Sequence, residues 1–441
     1  MGVSDFRKLL QLVPQAVKTL EYRQCSGQIW AIDASIFCYR FSHNRDAKGP
    51  NSHVDKFYQL FLRMLKNGIQ PVLVLDGRAP PQKAHTIQAR KAQRRQNIAK
   101  VGELAQDLFE MAGVDVQLVP AQMDSKIMDE TVKKITLEQF VTEYQGTPLE
   151  SQMKAKVEQI KKASKNIITF NPHLEEDLYQ LCSLLNIPVL QAEGEADSVC
   201  AKLYRDKMIH AVVSEDSDML FYGVGRLLSK FSWLESFEEI NLSVLLSGLG
   251  ITYQQFIDLC ILCGTDYTPS TITGIGPSRA LSYIRAGMPI ETLIDRITAG
   301  VEAEYRHYRV PESGDFDYKS VRQLVSADTR YVARIGALRR YDPQTVDFKS
   351  LSTWLMSKRN YRLTTLQNHY TQICGAGPVF TQPGPKRLIA LALKKKQPES
   401  AGAGAGAGAT SIETTSAPVP GLEDKPKTKL ILTRKEAPKL S

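Results

Sequence analysis

Three short apolar runs in this chain each stop at an aspartate, and segments with helical periodicity lie between them. Residues 28–32 run into Asp33, residues 70–75 into Asp76, and residues 210–213 towards Asp216. Runs of this length and composition read as strands buried within a parallel sheet. Residues 54–65 place Phe57, Leu60, Phe61, Met64 and Leu65 on one face of a helix, and residues 172–185 form a second helical pattern. Strand and helix in alternation predict an α/β fold, a central, mostly parallel twisted sheet flanked by helices. In open parallel sheets ligands gather beyond the carboxyl ends of strands, so Asp33, Asp76, Asp216 and Asp218 are expected on one edge.

Seven acids sit where predicted strands run out or a helix begins: Asp33, Asp76, Glu195, Asp197, Asp216, Asp218 and Asp266. Crowding like charges raises their energy, and divalent cations are the usual reason it is tolerated. A metal-dependent site is the expectation. With 441 residues, 43% of them hydrophobic, the chain can bury at least one large core and is not a disordered scaffold. Its formal net charge of +9 favours a polyanionic partner. The seven cysteines are odd in number and lie mostly in apolar segments, which implies reduced thiols rather than a disulfide framework. Cys260 and Cys263 form a CxxC with no second pair to complete a zinc set, and read as helix core. The opening MGVSDF lacks a secretion signal, Phe6 stands where a myristoylation signal wants Ser or Thr, and no uncharged run is long enough to cross a bilayer, so no membrane partner is expected.

From Gly77 to Gly102 there is no acidic residue, while Arg78, Lys83, Arg90, Lys91, Arg94, Arg95 and Lys100 supply positive charge. Lys83, Arg90 and Arg94 are seven and four apart, on one helical face. An acid-free basic run directly after a carboxylate-bearing strand points to phosphate. Residues 103–170 are lysine-rich and helical in pattern, and read as an insertion between the regions at 1–102 and 171–300. Residues 253–264 form a helix, followed by the turn Gly274-Ile275-Gly276-Pro277 and a second helix over 278–285 that opens with Ser278 and Arg279. Such a helix-hairpin offers backbone N–H groups to a duplex phosphate. Residues 301–374 extend the helical part. From 375 to 441 the composition shifts to Pro, Gly, Ala, Ser and Lys, a flexible tail with a basic Lys394-Lys395-Lys396.

Five ordered motifs, AIDAS around Asp33, VLDGRAPPQK around Asp76, GEADS around Glu195, SEDSD around Asp216 and GTDY…GIGPSRA after Asp266, resemble those of the flap endonuclease family of structure-specific 5′ nucleases, which includes exonuclease 1. The resemblance covers about residues 1–373. It implies a helical arch or cap in the 103–170 insertion and a helix-two-turn-helix at the hairpin. It also implies two Mg²⁺ ions, with Mn²⁺ an acceptable substitute, one held chiefly through Asp76, Glu195, Asp197 and Asp216 and the other through Asp218 and Asp266. Asp33 would orient water around them. Lys83 and Arg90 match the basic pair that steadies the scissile phosphate. Tyr39 matches a tyrosine that stacks on a base beside the cut, Gly2 a small residue that lets the backbone approach the site, and Arg94 and Arg95 extend the DNA-contacting face. Glu193 falls outside the GEADS pair and reads as a solvated or helix-capping acid.

The implied activity is Mg²⁺-dependent 5′ flap cleavage with 5′ to 3′ exonuclease action on DNA, in replication, repair or recombination. An exonuclease-1-type or junction-resolving enzyme of the same family is the alternative, and a non-catalytic nucleic-acid-binding regulator a more distant one. The short gap between the Asp76 region and Glu195 argues against the repair nuclease with a very long spacer. DNA with 5′ flaps, nicks or junctions is the expected partner, to a monomeric enzyme in the nucleus, or at a cytoplasmic replication site if the chain is viral. The turn between Asp266 and Gly274 is one residue longer than the family's usual spacing, and Thr273 stands where arginine is common, yet a K⁺ ion at the hairpin is expected. The tail carries no motif for a sliding clamp.

Overall fold

The computed structural model describes residues 3–43, 52–111, 114–115, 146–147, 149–164, 174–231, 236–312, 314–336, 338, 340–375 and 433–434. The expectations for Gly2, for most of the insertion and for the tail with its Lys394-Lys395-Lys396 fall outside them. Contacts divide the chain into two compact units, one of residues 1–95 with 168–392, the other of residues 96–167 with 393–441.

The first unit opens with α1 (Phe6–Leu12), β1 (Val17–Glu21), β2 (Ile29–Asp33), α2 (Ala34–His43), α3 (Ser52–Lys66) and β3 (Gln70–Leu75). Helix α4 (Ala84–Met111) begins in it and continues into the second unit, which also holds α5 (Glu150–Ser164). Back in the first unit follow α6 (Leu174–Leu184), β4 (Val189–Ala192), α7 (Ala196–Arg205), β5 (Ala211–Val213), the short α8 (Asp218–Phe221), β6 (Arg226–Ser229) and β7 (Ser236–Asn241). Then come α9 (Leu242–Leu249), α10 (Tyr253–Cys263), α11 (Pro277–Arg285), α12 (Ile290–Ala299), α13 (Tyr318–Ser326), β8 (Tyr331–Ile335), α14 (Phe348–Lys358) and α15 (Leu363–Gly375).

Eight strands form one sheet in the order β1-β7-β6-β5-β2-β3-β4-β8. The five from β6 to β4 run parallel, and the outer strands β7, β1 and β8 join antiparallel. Side chains alternate across a strand. Ala31, Val72 and Val74 accordingly enter a core with α7, α9, α10 and α11, whereas Trp30, Ile32, Leu73 and Leu75 enter one with α3, α6, α14 and α15. Both faces are covered, which is why the central strands β2, β3 and β5 are apolar at nearly every position. The alternation also sets direction, because Asp33 and Asp76 share parity with Ala31 and Val74 and lie on the α7 side.

Local signals position the helices behind the site. A capping box opens α10, where Gln255 N–H donates to Thr252 Oγ1 (3.2 Å) and Thr252 N–H donates to Gln255 Oε1 (2.9 Å). Gly276 is the N-cap of α11 and Pro277 its first residue, a position where proline's missing N–H is harmless. In the second unit, Val101 and Leu108 of α4 pack on Met153, Val157 and Ile160 of α5 in a small core of their own. All seven cysteines are free; Cys260 is buried in α10 as expected, and Cys263 partly so. Among the described residues no single helix is long and apolar enough to cross a bilayer.

Candidate active site

Asp33 ends β2, and Asp76 follows the last residue of β3. Beside them the turn after β4 delivers Glu195 as the N-cap of α7 and Asp197 in its first turn, where the helix dipole favours negative charge. Asp76 is held in place by Ala196 N–H, which donates to its Oδ1 at 2.7 Å. That contact needs the two turns to touch. Gly77 N–H donates to Gly194 O at 2.6 Å, and a Cβ on Gly77 would sit 2.1 Å from Ala192 O, so only glycine lets the Asp76 turn close on the Glu195 turn. The loop after β5 brings Asp216 and Asp218. Asp218 N–H donates to Asp216 Oδ1 (3.1 Å), Asp216 N–H to Ser214 Oγ (3.0 Å), and Ser214 Oγ–H to Asp33 Oδ2 (3.0 Å). Asp266 joins from the turn after α10.

Four of the acids are raised by burial and by acidic neighbours. Burial pushes the Asp33 carboxyl up to about 7, and the charges of Asp76 and Asp216 add to the rise. Asp197 and Asp218 are raised well above the carboxylate range by burial, Asp197 further by Asp33, Asp216, Asp76 and Glu195, and Asp218 by Asp216, Asp266 and Glu195. Asp216 is raised too, again chiefly by burial. Asp218 is the extreme case. It is fully buried, and neither carboxylate oxygen has a hydrogen-bond partner.

Two cations face this group. Lys83, just ahead of α4, forms an ion pair with Glu195, and Arg90 Nη2 lies 2.6 Å from Asp266 Oδ2. Burial pushes the Lys83 ammonium down, but Glu195, Asp197 and Asp218 together raise it further, so it stays charged. Among the described residues no three His, Cys, Asp or Glu side chains already converge on one metal position, and Lys83 and Arg90 are paired with two of the carboxylates. The donor set nevertheless fits hard divalent cations: oxygen ligands alone, a buried carboxylate with both oxygens unsatisfied, and carboxyls raised by burial and, after it, by neighbouring negative charge.

The remaining expected contacts lie elsewhere. Tyr39 is exposed on α2 at 38%, which removes it from the core. Arg94 and Arg95 continue along α4, and Arg94 Nε is buried without a partner. Gly274, Gly276, Ser278 and Arg279 form an exposed surface at the start of α11. Gly274 has φ +90°, and a Cβ there would meet Tyr308 at 2.9 Å. A Cβ on Gly276 meets nothing within 4 Å, so the approach to its backbone is open. Arg279 Nη1 donates to Gly274 O at 2.5 Å, which pins the turn. Glu193 is exposed, while Glu195 occupies the N-cap.

Two tyrosines had escaped the sequence reading. Tyr267 O–H donates to Glu195 Oε2 at 2.7 Å, Tyr222 O–H donates to Tyr267 at 3.0 Å, and Lys83 Nζ lies 5.3 Å from the centre of the Tyr267 ring. Tyr267 was in plain view in GTDY, directly after Asp266. Its link to a residue 72 positions away was not.

Comparison with known proteins agrees with this geometry. Residues 1–97 match the XPG N-terminal domain and residues 186–266 the XPG I-region. Flap endonuclease 1-B of Xenopus laevis is 27% identical over 383 residues, covering 83% of this chain and 85% of the relative. Among solved structures, the catalytic core of Rad2 in complex with DNA substrate aligns with a TM-score of 0.55 at 17% identity, over 84% of this chain and all of that one, and human GEN1 in complex with Holliday junction DNA with 0.53 at 16%, over 84% and 77%. At such identities these structures speak for the fold. An acid-lined, metal-dependent phosphodiesterase acting on DNA is the class that fold and site define together. Within that class the chain matches the XPG N-terminal and I-region domains and is similar to the flap endonucleases, structure-specific 5′ nucleases.

Proposed function

We propose that the acidic group is the active site of a Mg²⁺-dependent 5′ flap endonuclease with 5′ to 3′ exonuclease activity. The observation that carries this reading is Asp218, fully buried with both oxygens unsatisfied amid Asp216, Asp266 and Glu195. A carboxyl buried in this way holds its proton until a cation can take the proton's place, so the group is poised for metal. Asp76, Glu195, Asp197 and Asp216 would hold one Mg²⁺, Asp218 and Asp266 a second, with Asp33 orienting water; Mn²⁺ has the same preference for oxygen ligands. When bound, the two ions supply charge neutralisation at the attacking and leaving oxygens of an in-line displacement.

The chain's own groups do the rest. Lys83 and Arg90 leave Glu195 and Asp266 for the non-bridging oxygens of the scissile phosphate and stabilise the charge that grows there. Tyr267 keeps Glu195 turned inward after the lysine departs. Tyr39 offers a ring to an unpaired base, and Arg94 and Arg95 follow the backbone along α4. Gly274, Gly276, Ser278 and Arg279 present N–H and side-chain donors to the duplex, and the hairpin turn would hold the K⁺ ion. The enzyme works as a monomer on flapped, nicked or branched DNA in the nucleus.

End-labelled double-flap DNA, nicked duplex and a four-way junction, each incubated with and without Mg²⁺, test the reading. Mg²⁺-dependent cleavage at the base of the 5′ flap, faster than on the junction, is expected. No cleavage of any of the three in Mg²⁺ or Mn²⁺ overturns it.

A further inference from the structure

We propose that the cleft between the first turns of α4 and the polar turn after α10 is a binding site for a backbone phosphate of the substrate strand, adjacent to the phosphate that Lys83 and Arg90 face. This rests on the nuclease reading above and adds a second point of attachment to it.

The cleft has a volume of about 390 Å³ and no acid in its lining. Six of its residues matter: His85, Thr86 and Arg90 on the α4 side, and Thr268, Ser270 and Thr271 on the turn. Thr268 is 5% exposed, and its Oγ1 has no partner. A buried hydroxyl left unsatisfied is rare in a native chain and calls for a ligand, an ion or a water. Charge decides the class of ligand. Arg90 is the one permanently charged group in the lining, so an anion is favoured and a cation is not.

The cleft is joined to the catalytic acids by short links. Thr86 Oγ1–H donates to the carbonyl of Asp266 at 2.8 Å, and His85 Nε2 lies 3.0 Å from the same hydroxyl. Arg90 gives one Nη to Asp266, and a guanidinium carries five N–H donors in a fixed fork, so others remain for an anion on the cleft side. Along a DNA strand phosphates follow one another at roughly 3.4 Å of helix rise. A strand with one phosphate at Lys83 and Arg90 therefore carries the next within reach of a cleft that Arg90 also borders. The hydroxyl-rich wall lies in the stretch between Asp266 and Gly274.

The test uses flap DNA in which one phosphodiester at a time, on either side of the scissile bond, is replaced by an uncharged methylphosphonate. Binding is read by fluorescence anisotropy without divalent ions. In the unsubstituted protein the methylphosphonate next to the scissile bond should weaken binding ~5-fold, as expected for a lost charge-assisted contact. In Thr268→Val combined with Ser270→Ala the same replacement should have almost no effect, whereas Thr268→Ser, which keeps the hydroxyl, should retain the full loss. Ser270 and Thr271 are only partly buried, so Ser270→Ala with Thr271→Ala gives the same comparison if the valine variant fails to fold. Equal losses in parent and variants at every position, the result of a cleft holding only water, overturn the proposal. Cleavage of unmodified flap DNA in Mg²⁺ reports on the nuclease reading separately.

Discussion

The Asp218 carboxyl is buried with neither oxygen hydrogen-bonded, a state that is destabilising by itself. Asparagine has nearly the same shape and no charge. Asp218→Asn should raise the thermal midpoint of the metal-free protein by a few degrees, about 1–2 kcal/mol, while lowering cleavage by on the order of 10³-fold or more. Calorimetry and a flap assay read the two effects; a variant that is less stable and still active would mean that Asp218 is an ordinary structural acid. Tyr267→Phe removes only the hydroxyl that holds Glu195 Oε2. The Mg²⁺ concentration for half-maximal rate should rise ~10-fold, the size of effect usual for groups that orient metal ligands, with the rate at saturating Mg²⁺ changed far less. An unchanged Mg²⁺ requirement would assign Tyr267 to packing alone. The seven acids themselves were legible because carboxylates at strand ends stand out against apolar runs. The partners that orient them, Ser214, Tyr222 and Tyr267, carry no such contrast.

At the scale of elements, legibility followed burial. Strands β2, β3 and β5 are covered on both faces and show as unbroken apolar runs, and the structure places each within a residue of its expected span. The outer strands were missed. In β1, Lys18 and Thr19 are exposed, and β8 exposes Val332, Ala333 and Arg334, so neither has an apolar run to find. Strand β4 is well buried but has only four residues and follows the apolar end of α6 with little break. The motifs were recognisable as strings, while their physical reason lay in tertiary contact. Gly77 is the clearest case, because its missing side chain admits Ala192 O and Glu193 O. Gly77→Ala should push the two acid-bearing turns apart, costing about 2–3 kcal/mol of stability from overpacking and reducing cleavage by ~10²-fold through misplacement of Asp76. Denaturant unfolding and single-turnover cleavage measure this; a variant equal to the parent in both would remove the turn-to-turn contact from the argument.

The acidic group also imposes a pH dependence on the whole molecule. Asp33, Asp197, Asp216 and Asp218 hold their protons more tightly in the folded chain than in the unfolded one. Their contribution to folding is therefore fully present below the ordinary carboxylate value near 4 and is lost as the pH rises through the folded-state values, about 7 for Asp33. His53 acts in the opposite sense. Burial beside Asp177 lowers its folded-state value, so its contribution is present above the ordinary imidazole value and lost as the pH falls. A metal-free pH profile mixes the two, but His53 pairs with Asp177 of α6 rather than with any acid of the site, so added Mg²⁺ isolates the acidic group. Mg²⁺ binds the deprotonated acids of the folded chain and should raise the thermal midpoint by several degrees more at pH 8 than at pH 5.5. The excess should shrink stepwise in Asp218→Asn and in Asp33→Asn. An Mg²⁺ effect equal at both pH values would mean that the ions do not meet these acids, and with that the cleft would lose its claim to the chemistry.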